Sequence, residues 1–260
     1  MRLELLISTM NADPRSLVNK MNVSSDAIII NQTDHTSFES FSFKGHNIRV
    51  WSFAEKGIGI SRNNALMRSN ADVVLFADDD AILVDDYEQK IIEEFDRKPE
   101  SDFIIVNYDV KYTNGRIGAI NATKRKRVHW WNSQRYGTCR FAIRRDKVIK
   151  KNIFFSLLYG ASKYSHGEDS IFIMDCLKNQ LKVYTSNINV GVLNCNNSSW
   201  FNSYNEKYFF DTGALMYAIN PFFYKLFILV TFFRHRKVYC DNISFWDSVL
   251  IAFKGANNAK

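Results

Sequence analysis

The stretch Val73-Val74-Leu75-Phe76-Ala77-Asp78-Asp79-Asp80 decides the fold of this 260-residue chain. Its first five residues are apolar, and a short uninterrupted apolar run is typical of a strand that is buried on both faces of a sheet. Three aspartates follow at once, and crowded carboxylates are costly unless a cation neutralises them. On an extended chain Asp78 and Asp80 point to the same side, which suits a hard divalent cation such as Mg²⁺ or Mn²⁺. A solvated turn or a helix N-cap is the alternative interpretation.

Short apolar runs and helical segments alternate on both sides of this stretch. Further strands are predicted at residues 3–8, 27–30, 48–51 and 103–106, and helices at residues 13–21, 61–67 and 85–97. Asp13 is the expected N-cap of the first helix, and Ser61 lies near the expected cap of the second. The alternation predicts an α/β fold with a mostly parallel central sheet flanked by helices. In such sheets ligands bind at the carboxyl ends of the strands, where this chain places its polar clusters.

Charge is concentrated in one region of the chain. Residues 111–151 contain 13 Lys and Arg against one acid, Asp146, a net +12, whereas the remainder of the chain carries −5. A block of this kind favours an anionic neighbour: a phosphate-bearing substrate, an anionic lipid surface or nucleic acid. An ordinary solvated surface is the alternative.

The C-terminal part differs in composition from the rest. Residues 200–239 hold 14 of the 38 aromatic residues, and between residues 213 and 233 the only charge is Lys225. Asn220-Pro221 interrupts this apolar run, and Arg234-His235-Arg236-Lys237 follows it. A shortened apolar segment beside a basic cluster favours a helix at a membrane surface, with a buried core helix or a true span as alternatives.

Two further motifs complete a resemblance to a known family. The segment Glu55-Lys56-Gly57-Ile58-Gly59-Ile60-Ser61-Arg62-Asn63-Asn64-Ala65 precedes the aspartates, and Gly167-Glu168-Asp169 follows later. In this order the motifs resemble family 2 glycosyltransferases of the GT-A fold, over about residues 1–195. The resemblance implies a catalytic domain at 1–199, with a donor half at 1–108 and an acceptor half at 109–199. Residues 200–260 form the expected helical, membrane-associating appendage, which is rich in aromatic residues.

The resemblance also implies roles for individual residues. Asp80, with Asp78, would hold a divalent metal, Mn²⁺ or Mg²⁺, that bridges the diphosphate of the donor. Arg62 would orient that donor through its guanidinium. The expected donor-binding residues are Thr9, Asn31, Gln32, Asp34, Arg62, Asp78, Asp79 and Lys207. The family commonly has Asp-Asp where this chain has Asn31-Gln32.

The acid pair Glu168-Asp169 is the expected catalytic site. Acids in a first helical turn are also common because of the helix dipole alone. In the family the second acid is the general base, so the resemblance assigns that role to Asp169 and a supporting role to Glu168. A sugar hydroxyl that attacks an anomeric carbon must lose its proton, and a carboxylate accepts it.

The implied function is an inverting, metal-dependent transfer of a sugar from a nucleotide diphosphate donor, with UDP expected, in polysaccharide biosynthesis. The expected acceptor is a saccharide, including one linked to a lipid diphosphate, met at an anionic membrane surface. The basic, aromatic stretch 124–131 is expected to face that membrane or acceptor and not nucleic acid.

The expected location is the cytoplasmic face of the cell membrane. The N-terminal segment lacks the features of a secretory signal, and the four widely spaced cysteines favour a reducing compartment. Two other functions remain open from the sequence: a sugar-phosphate nucleotidyltransferase, or a non-catalytic binder of membranes or nucleic acid. Against the first, no Gly-rich loop with Arg and Lys follows the first strand.

Overall fold

A computed structural model describes residues 1–111, 121–160, 162–194, 203–240 and 243–260, together with the backbone of 117–118. The chain divides into two compact units. The first contains the described residues of Met1–Phe155 and Phe172–Asn197, and the second those of Ser156–Ile171 and Ser198–Lys260. The expected boundary between residues 199 and 200 lies outside the described residues.

The strands of the described chain form one sheet in the first unit. They are β1 (Leu3–Met10), β2 (Asp26–Gln32), β3 (Ser37–Phe43), β4 (His46–Phe53), β5 (Val73–Asp78), β6 (Ala81–Leu83), β7 (Phe103–Lys111), β8 (Ile117–Gly118), β9 (Phe141–Arg144) and β10 (Val183–Asn194). Their order across the sheet is β3-β4-β2-β1-β5-β9-β7-β10-β6, and β8 pairs with β7. Six of these ten strands, β1, β2, β4, β5, β7 and β10, run in one direction.

The helices of the described chain follow the strands in an α/β order. They are α1 (Pro14–Lys20), α2 (Ile58–Arg68), α3 (Tyr87–Arg97), α4 (Arg145–Ile149), α5 (Glu168–Lys178), α6 (Glu206–Ile219), α7 (Tyr224–Tyr239) and α8 (Phe245–Asn258). The predicted α/β architecture, with a central sheet flanked by helices and helices at the C-terminus, is confirmed.

Alternation of side chains along the strands builds a core on each face of the sheet. Leu3, Leu5 and Ile7 of β1 belong to a buried cluster that includes residues of α1 and α3. Leu6, between them in sequence, belongs to a second cluster that includes residues of α2 and of the later part of α5. Successive side chains of a strand point to opposite faces, so a strand covered on both sides must be apolar throughout.

The sequence-based expectations did not include β6, β8, β10 or α4, and three further details differ. β9 runs antiparallel between β5 and β7, and no strand was predicted at its residues. β3, which is largely exposed, forms an antiparallel edge on β4. The second helix begins at Ile58 after an N-cap at Gly57, where φ is 134°, so Ser61 is not its cap. Ser61 is instead buried, and its hydroxyl donates to Ser8 Oγ at 2.9 Å.

The second unit has its own apolar core, made by α6, α7 and α8. α6 and α8 approach closely at two glycines, because a methyl group at Gly213 would overlap the carbonyl of Ala252, and one at Gly255 that of Phe210. Asn220 ends α6, in agreement with the predicted interruption at Asn220-Pro221. Within the described part of the chain, no helix combines the length and the apolar character that crossing a membrane requires.

Candidate functional site

The three aspartates lie where β5 ends. β5 closes at Asp78, which pairs with Ser8 of β1, and the chain turns at residues 79–80 before β6. The expected alternation of Asp78 and Asp80 on one side of an extended strand is therefore wrong, because the strand stops at Asp78. All three carboxylates nevertheless form one group, since Asp78 and Asp79 both raise the pKa of Asp80.

Asp78 carries an ion pair with a residue of α2. Arg62 Nη2 donates to Asp78 Oδ1 at 2.9 Å, and the arginine side chain is only 7% exposed. Its guanidinium also lies 5.5 Å from the ring centre of Phe155. Packing and pairing together fix the guanidinium beside the aspartates.

Asp79 is held by contacts from β1 and α1. Thr9 Oγ1 donates to Asp79 Oδ2 at 2.6 Å, and Lys20 Nζ donates to the Asp79 carbonyl at 3.0 Å. Thr9 is buried, because β1 is a central strand of the sheet. The structure thus places Thr9, Arg62 and the three aspartates together, and we call these five residues the aspartate cluster.

Asp80 has the clearest electrostatic signature of the cluster. Burial, followed by repulsion from Asp78 and then Asp79, raises its pKa to about 6, although the nearby Lys20 acts in the opposite direction. A carboxylate whose charge is disfavoured by its surroundings gains from a bound cation. Mg²⁺ is commonly held by one or two carboxylates together with the phosphates of a substrate. Asp80 and Asp78 fit that donor set.

The aspartate cluster does not provide a complete protein cage for a metal. Among the residues that the structure describes, no group of three or more His, Cys, Asp and Glu side chains is arranged to hold a metal ion. Since Asp78 already accepts from Arg62, Asp80 is the carboxylate most suited to a cation. The remaining ligands of a divalent cation would come from substrate and water.

Asn31 and Gln32 have structural partners. Asn31 bonds the backbone of Ala12 in both directions, as acceptor from its N–H at 3.2 Å and as donor to its carbonyl at 2.8 Å. Gln32 Oε1 accepts from the backbone N–H of Gly57 at 2.7 Å. These amides position the chain after β1 and the start of α2. Asp34 is exposed and pairs with the adjacent His35, and this pairing lowers the pKa of Asp34.

The acid pair opens α5. Glu168 and Asp169 occupy its first turn, where negative charge is favoured by the helix dipole. Gly167 precedes them with a φ of 112°, a conformation that favours glycine, and a side chain there would also collide with Leu215. Asp169 Oδ1 accepts from the N–H of Ser170 at 2.7 Å. Both acids are partly exposed.

A buried aspartate in α6 fixes the segment before the acid pair, and sequence reasoning missed it. Asp211 is 1% exposed and accepts from the N–H and the hydroxyl of Ser165, at 2.8 and 2.6 Å. Lys207 completes this group through an ion pair of 2.9 Å with Asp211. The sequence signal was an acid within an aromatic, apolar helix, which is a rare place for a charge without a partner.

His166 lies beside this group. Its ring contacts Ser165 Oγ and Thr212 Oγ1, and it stacks on Tyr208 with 5.2 Å between ring centres. Burial lowers the pKa of His166, although the charges of Asp211 and Glu168 oppose that effect.

The expected site residues are divided between the two units. Thr9, Arg62 and the aspartates belong to the first unit, whereas Glu168, Asp169 and Lys207 belong to the second.

Comparison with known proteins points to one family and one fold. The family described as Glycosyl transferase family 2 matches residues 29–153, which begin within β2 and continue beyond β9. No curated protein sequence matches the chain.

Solved structures of S. aureus TarS have the same fold. The structure of TarS residues 1–349 in complex with UDP-GlcNAc has a TM-score of 0.67 and 14% sequence identity, over 100% of this chain and 81% of that chain. The structure of TarS 1–349 without that ligand has a TM-score of 0.64 and 13% sequence identity, with the same coverage of both chains. The complex of TarS 1–349 with UDP has a TM-score of 0.61 and 16% sequence identity, over 93% of this chain and 74% of that chain.

Proposed function

We propose that this chain, whose residues 29–153 match Glycosyl transferase family 2 and which has a GT-A fold, is a glycosyltransferase that moves a sugar from a UDP-sugar to a saccharide hydroxyl with inversion. The observation that carries this proposal is the aspartate cluster at the end of β5, where Asp80 has a raised pKa and Arg62 is fixed beside Asp78. The UDP-GlcNAc and UDP complexes of the similar TarS fold support a uridine nucleotide as the donor.

Donor binding is assigned to the aspartate cluster. Thr9 and Asp79 are joined by a hydrogen bond, and this contact ties β1 to the turn after β5. Asn31 and Gln32 shape the neighbouring loops through their backbone bonds, and Asp34 follows them at the surface. The guanidinium of Arg62 matches the geometry of phosphate oxygens, and it also neutralises part of the carboxylate charge.

A divalent cation, Mn²⁺ or Mg²⁺, is the proposed cofactor, with Asp80 and Asp78 as its protein ligands. When bound, it would offset the negative charge that develops on the departing diphosphate. Its presence would also relieve the repulsion that raises the pKa of Asp80.

Proton removal is assigned to the acid pair. Asp169, in the first turn of α5, is the proposed base that accepts the proton of the acceptor hydroxyl, and Glu168 is its supporting neighbour. Asp211 holds the preceding segment through Ser165, which keeps the start of α5 in place. Lys207, which the resemblance places among the donor-binding residues, is engaged with Asp211.

The acceptor is proposed to be a glycan of a surface polysaccharide, including one linked to a lipid diphosphate, at the cytoplasmic face of the membrane. The second unit supports this location. Large apolar side chains are exposed before and along α7, namely Phe222 (90%), Phe223, Leu226, Val230 and Phe233. Arg234, Arg236 and Lys237 follow at the end of the helix. An apolar face with adjacent cations suits an anionic membrane surface.

The test is a thermal-shift and calorimetry screen of UDP-sugars, with and without Mn²⁺, followed by transfer assays with the donors that bind. Wild-type protein should bind a UDP-sugar only with the cation. Asp80→Asn should lose this binding and the transfer, whereas Asp96→Asn, an exposed change on α3, should retain both. Cation-dependent binding that survives Asp80→Asn unchanged would overturn the metal assignment.

A further inference from the structure

A cavity of about 270 Å³ in the first unit has a strongly basic wall. Four cationic side chains line it: Lys124, Lys126, Arg127 and Arg135. No carboxylate is among its lining residues. Lys124, Lys126 and Arg135 are exposed, and a concave surface lined by charges of one sign concentrates counter-ions.

The cations of this cavity are not engaged with acids. Within the described part of the chain, Lys124, Lys126 and Arg135 form no ion pair with a carboxylate, unlike the neighbouring Arg125, which pairs with Glu100 at 2.7 Å. Arg127 has one guanidinium nitrogen, Nη2, that donates to the Leu181 carbonyl at 3.2 Å. Its Nη1 is buried and has no hydrogen-bond partner among the described residues. A buried charged donor without an acceptor is costly, and the arginine that carries it lines the cavity.

Hydrogen bonds hold the backbone that carries the two lysines of the cavity. The chain at Lys126 and Val128 runs beside the start of β10, with the N–H of Thr185 donating to the Lys126 carbonyl at 2.9 Å and the N–H of Val128 donating to the Val183 carbonyl at 2.9 Å. Thr185 Oγ1 accepts from the Lys126 N–H and donates to the Lys124 carbonyl. Both lysines therefore extend from a fixed backbone.

Neutral donors add to the cations. Asn132 and Tyr136 also line the cavity. Asn132 Oδ1 accepts from the N–H of His129 at 2.9 Å, which leaves its amide nitrogen as the atom able to donate to a ligand. The lining therefore combines ammonium, guanidinium and amide donors, which is the donor set of a site for phosphate oxygens.

This cavity is separate from the aspartate cluster. Thr185, in its wall, belongs to β10, which is three strands from β5 in the order β5-β9-β7-β10. At the usual strand spacing this corresponds to about 14 Å across the sheet. None of the residues of the aspartate cluster lines the cavity.

We propose that this basic cavity binds a phosphate group of an anionic ligand, independently of the donor nucleotide. Its volume of about 270 Å³ lies just below the roughly 300–1,000 Å³ of sites that hold drug-sized ligands, so it has room for a phosphate or diphosphate group. The phosphate is that of a soluble molecule or that of a lipid, and the two sources share the same chemistry. The proposal does not depend on sugar transfer.

The experiment titrates inorganic pyrophosphate into the full-length protein by calorimetry, at low salt and in the presence of a chelator. Under these conditions the aspartate cluster holds no cation, and its carboxylates repel the probe. Lys126→Ala/Arg135→Ala should weaken pyrophosphate binding by at least about tenfold, since two charged hydrogen-bond donors are removed. The matched control Lys150→Ala/Lys151→Ala removes the same charge from exposed positions outside the cavity and should bind as wild type.

A second arm uses sedimentation with phosphatidylglycerol vesicles, with the same variants. Loss of pyrophosphate binding alone in Lys126→Ala/Arg135→Ala indicates a soluble phosphate, and loss of both kinds of binding indicates a lipid phosphate; either result supports the cavity. The proposal would be overturned if pyrophosphate binding were weakened equally in Lys126→Ala/Arg135→Ala and in the control Lys150→Ala/Lys151→Ala. It would also be overturned if wild-type protein did not bind pyrophosphate. Lys126→Gln/Arg135→Gln, with its melting temperature measured, guards against a folding defect.

Discussion

The charged form of Asp80 is disfavoured by burial and by repulsion from Asp78 and Asp79, and this affects how the free energy of unfolding depends on pH. The folded protein binds the Asp80 proton more tightly than the unfolded chain does, because the pKa rises from 3.8 to about 6. The metal-free protein should therefore lose free energy of unfolding as the pH rises from about 4 to about 6. Asp80→Asn should remove this loss and stabilise the metal-free protein at pH 7 by about 1–2 kcal/mol, a figure reduced for partial solvent screening.

The measurement is urea unfolding at pH 4.5 and pH 7 in the presence of a chelator. Asp96→Asn is the control, since replacing that exposed carboxylate should not change how the free energy of unfolding depends on pH. An Asp80→Asn variant that is less stable than wild type at pH 7 would contradict this account. A gain in stability together with a loss of transfer is the behaviour expected of a residue retained for function.

Asp169 is predicted to act on the acceptor and not on the donor. Asp169→Asn preserves the size of the side chain but cannot take up a proton, so turnover should fall by about 10²–10⁴. Binding of the UDP-sugar should hardly change. Calorimetry with the donor and a transfer assay with the acceptor separate the two effects. Glu168→Gln is the matched variant, and if it loses transfer while Asp169→Asn retains it, the two roles must be exchanged.

At the scale of secondary structure, Asp211 ties α6 to the segment before α5. Asp211→Asn removes the charge that Lys207 neutralises and weakens the bonds from Ser165, so the free energy of unfolding should fall by about 1–3 kcal/mol. Lys207→Met, which leaves a buried carboxylate with fewer partners, should also destabilise the protein. Urea denaturation checks both. Donor affinity that drops sharply in Lys207→Met without any loss of stability would instead favour the donor-binding role of Lys207.

The packing of α6 on α8 depends on two glycines. Gly213→Ala and Gly255→Ala each bring a methyl group onto a carbonyl of the facing helix, and overpacking of this kind costs about 1–3 kcal/mol. Asn257→Ala, an exposed change on α8, should be tolerated. Thermal melting of the full chain measures all three. If both glycine variants melt with the wild type, the close approach of the two helices is not a feature of the protein in solution.

At the scale of the whole molecule, binding to anionic membranes is expected to depend on salt and on the second unit. Each cation near such a surface contributes about 1 kcal/mol, so Arg234→Ala/Lys237→Ala should weaken sedimentation with phosphatidylglycerol vesicles. Phe222→Ser should weaken it as well, because that side chain is 90% exposed. Lys163→Ala/Lys254→Ala is the charge-matched control. Wild-type protein that stays in the supernatant at low salt would refute membrane binding.

The family match bears on the alternatives for function. A sugar-phosphate nucleotidyltransferase and a non-catalytic binder both remained open from the sequence, and the match of residues 29–153 to Glycosyl transferase family 2 favours a glycosyltransferase. The metal, the donor, the acceptor and the site residues stay predictions, for which the experiments above are designed.

Local signals in the sequence were sufficient to predict β1, β2, β4, β5 and β7 and the first three helices. Asp13 and Pro14 open α1, with Asp13 accepting from the N–H of Ser16, and the apolar run before Asp78 forms β5. These signals act over a few residues, through capping, proline geometry and the burial of both faces of a strand. The position of the aspartates at a strand end was predictable for the same reason.

Only the tertiary structure decided which distant groups meet. The pair between Arg62 and Asp78, the bond between Thr9 and Asp79, and the group of Asp211 with Ser165 join residues whose separation in sequence carries no local signal. β9 is likewise a central strand although it is short, because its backbone forms hydrogen bonds with both β5 and β7, which lie on either side of it. Hydrogen bonds and burial satisfy polar groups wherever the fold brings them, so a sequence specifies which residues need partners and the packed fold selects those partners.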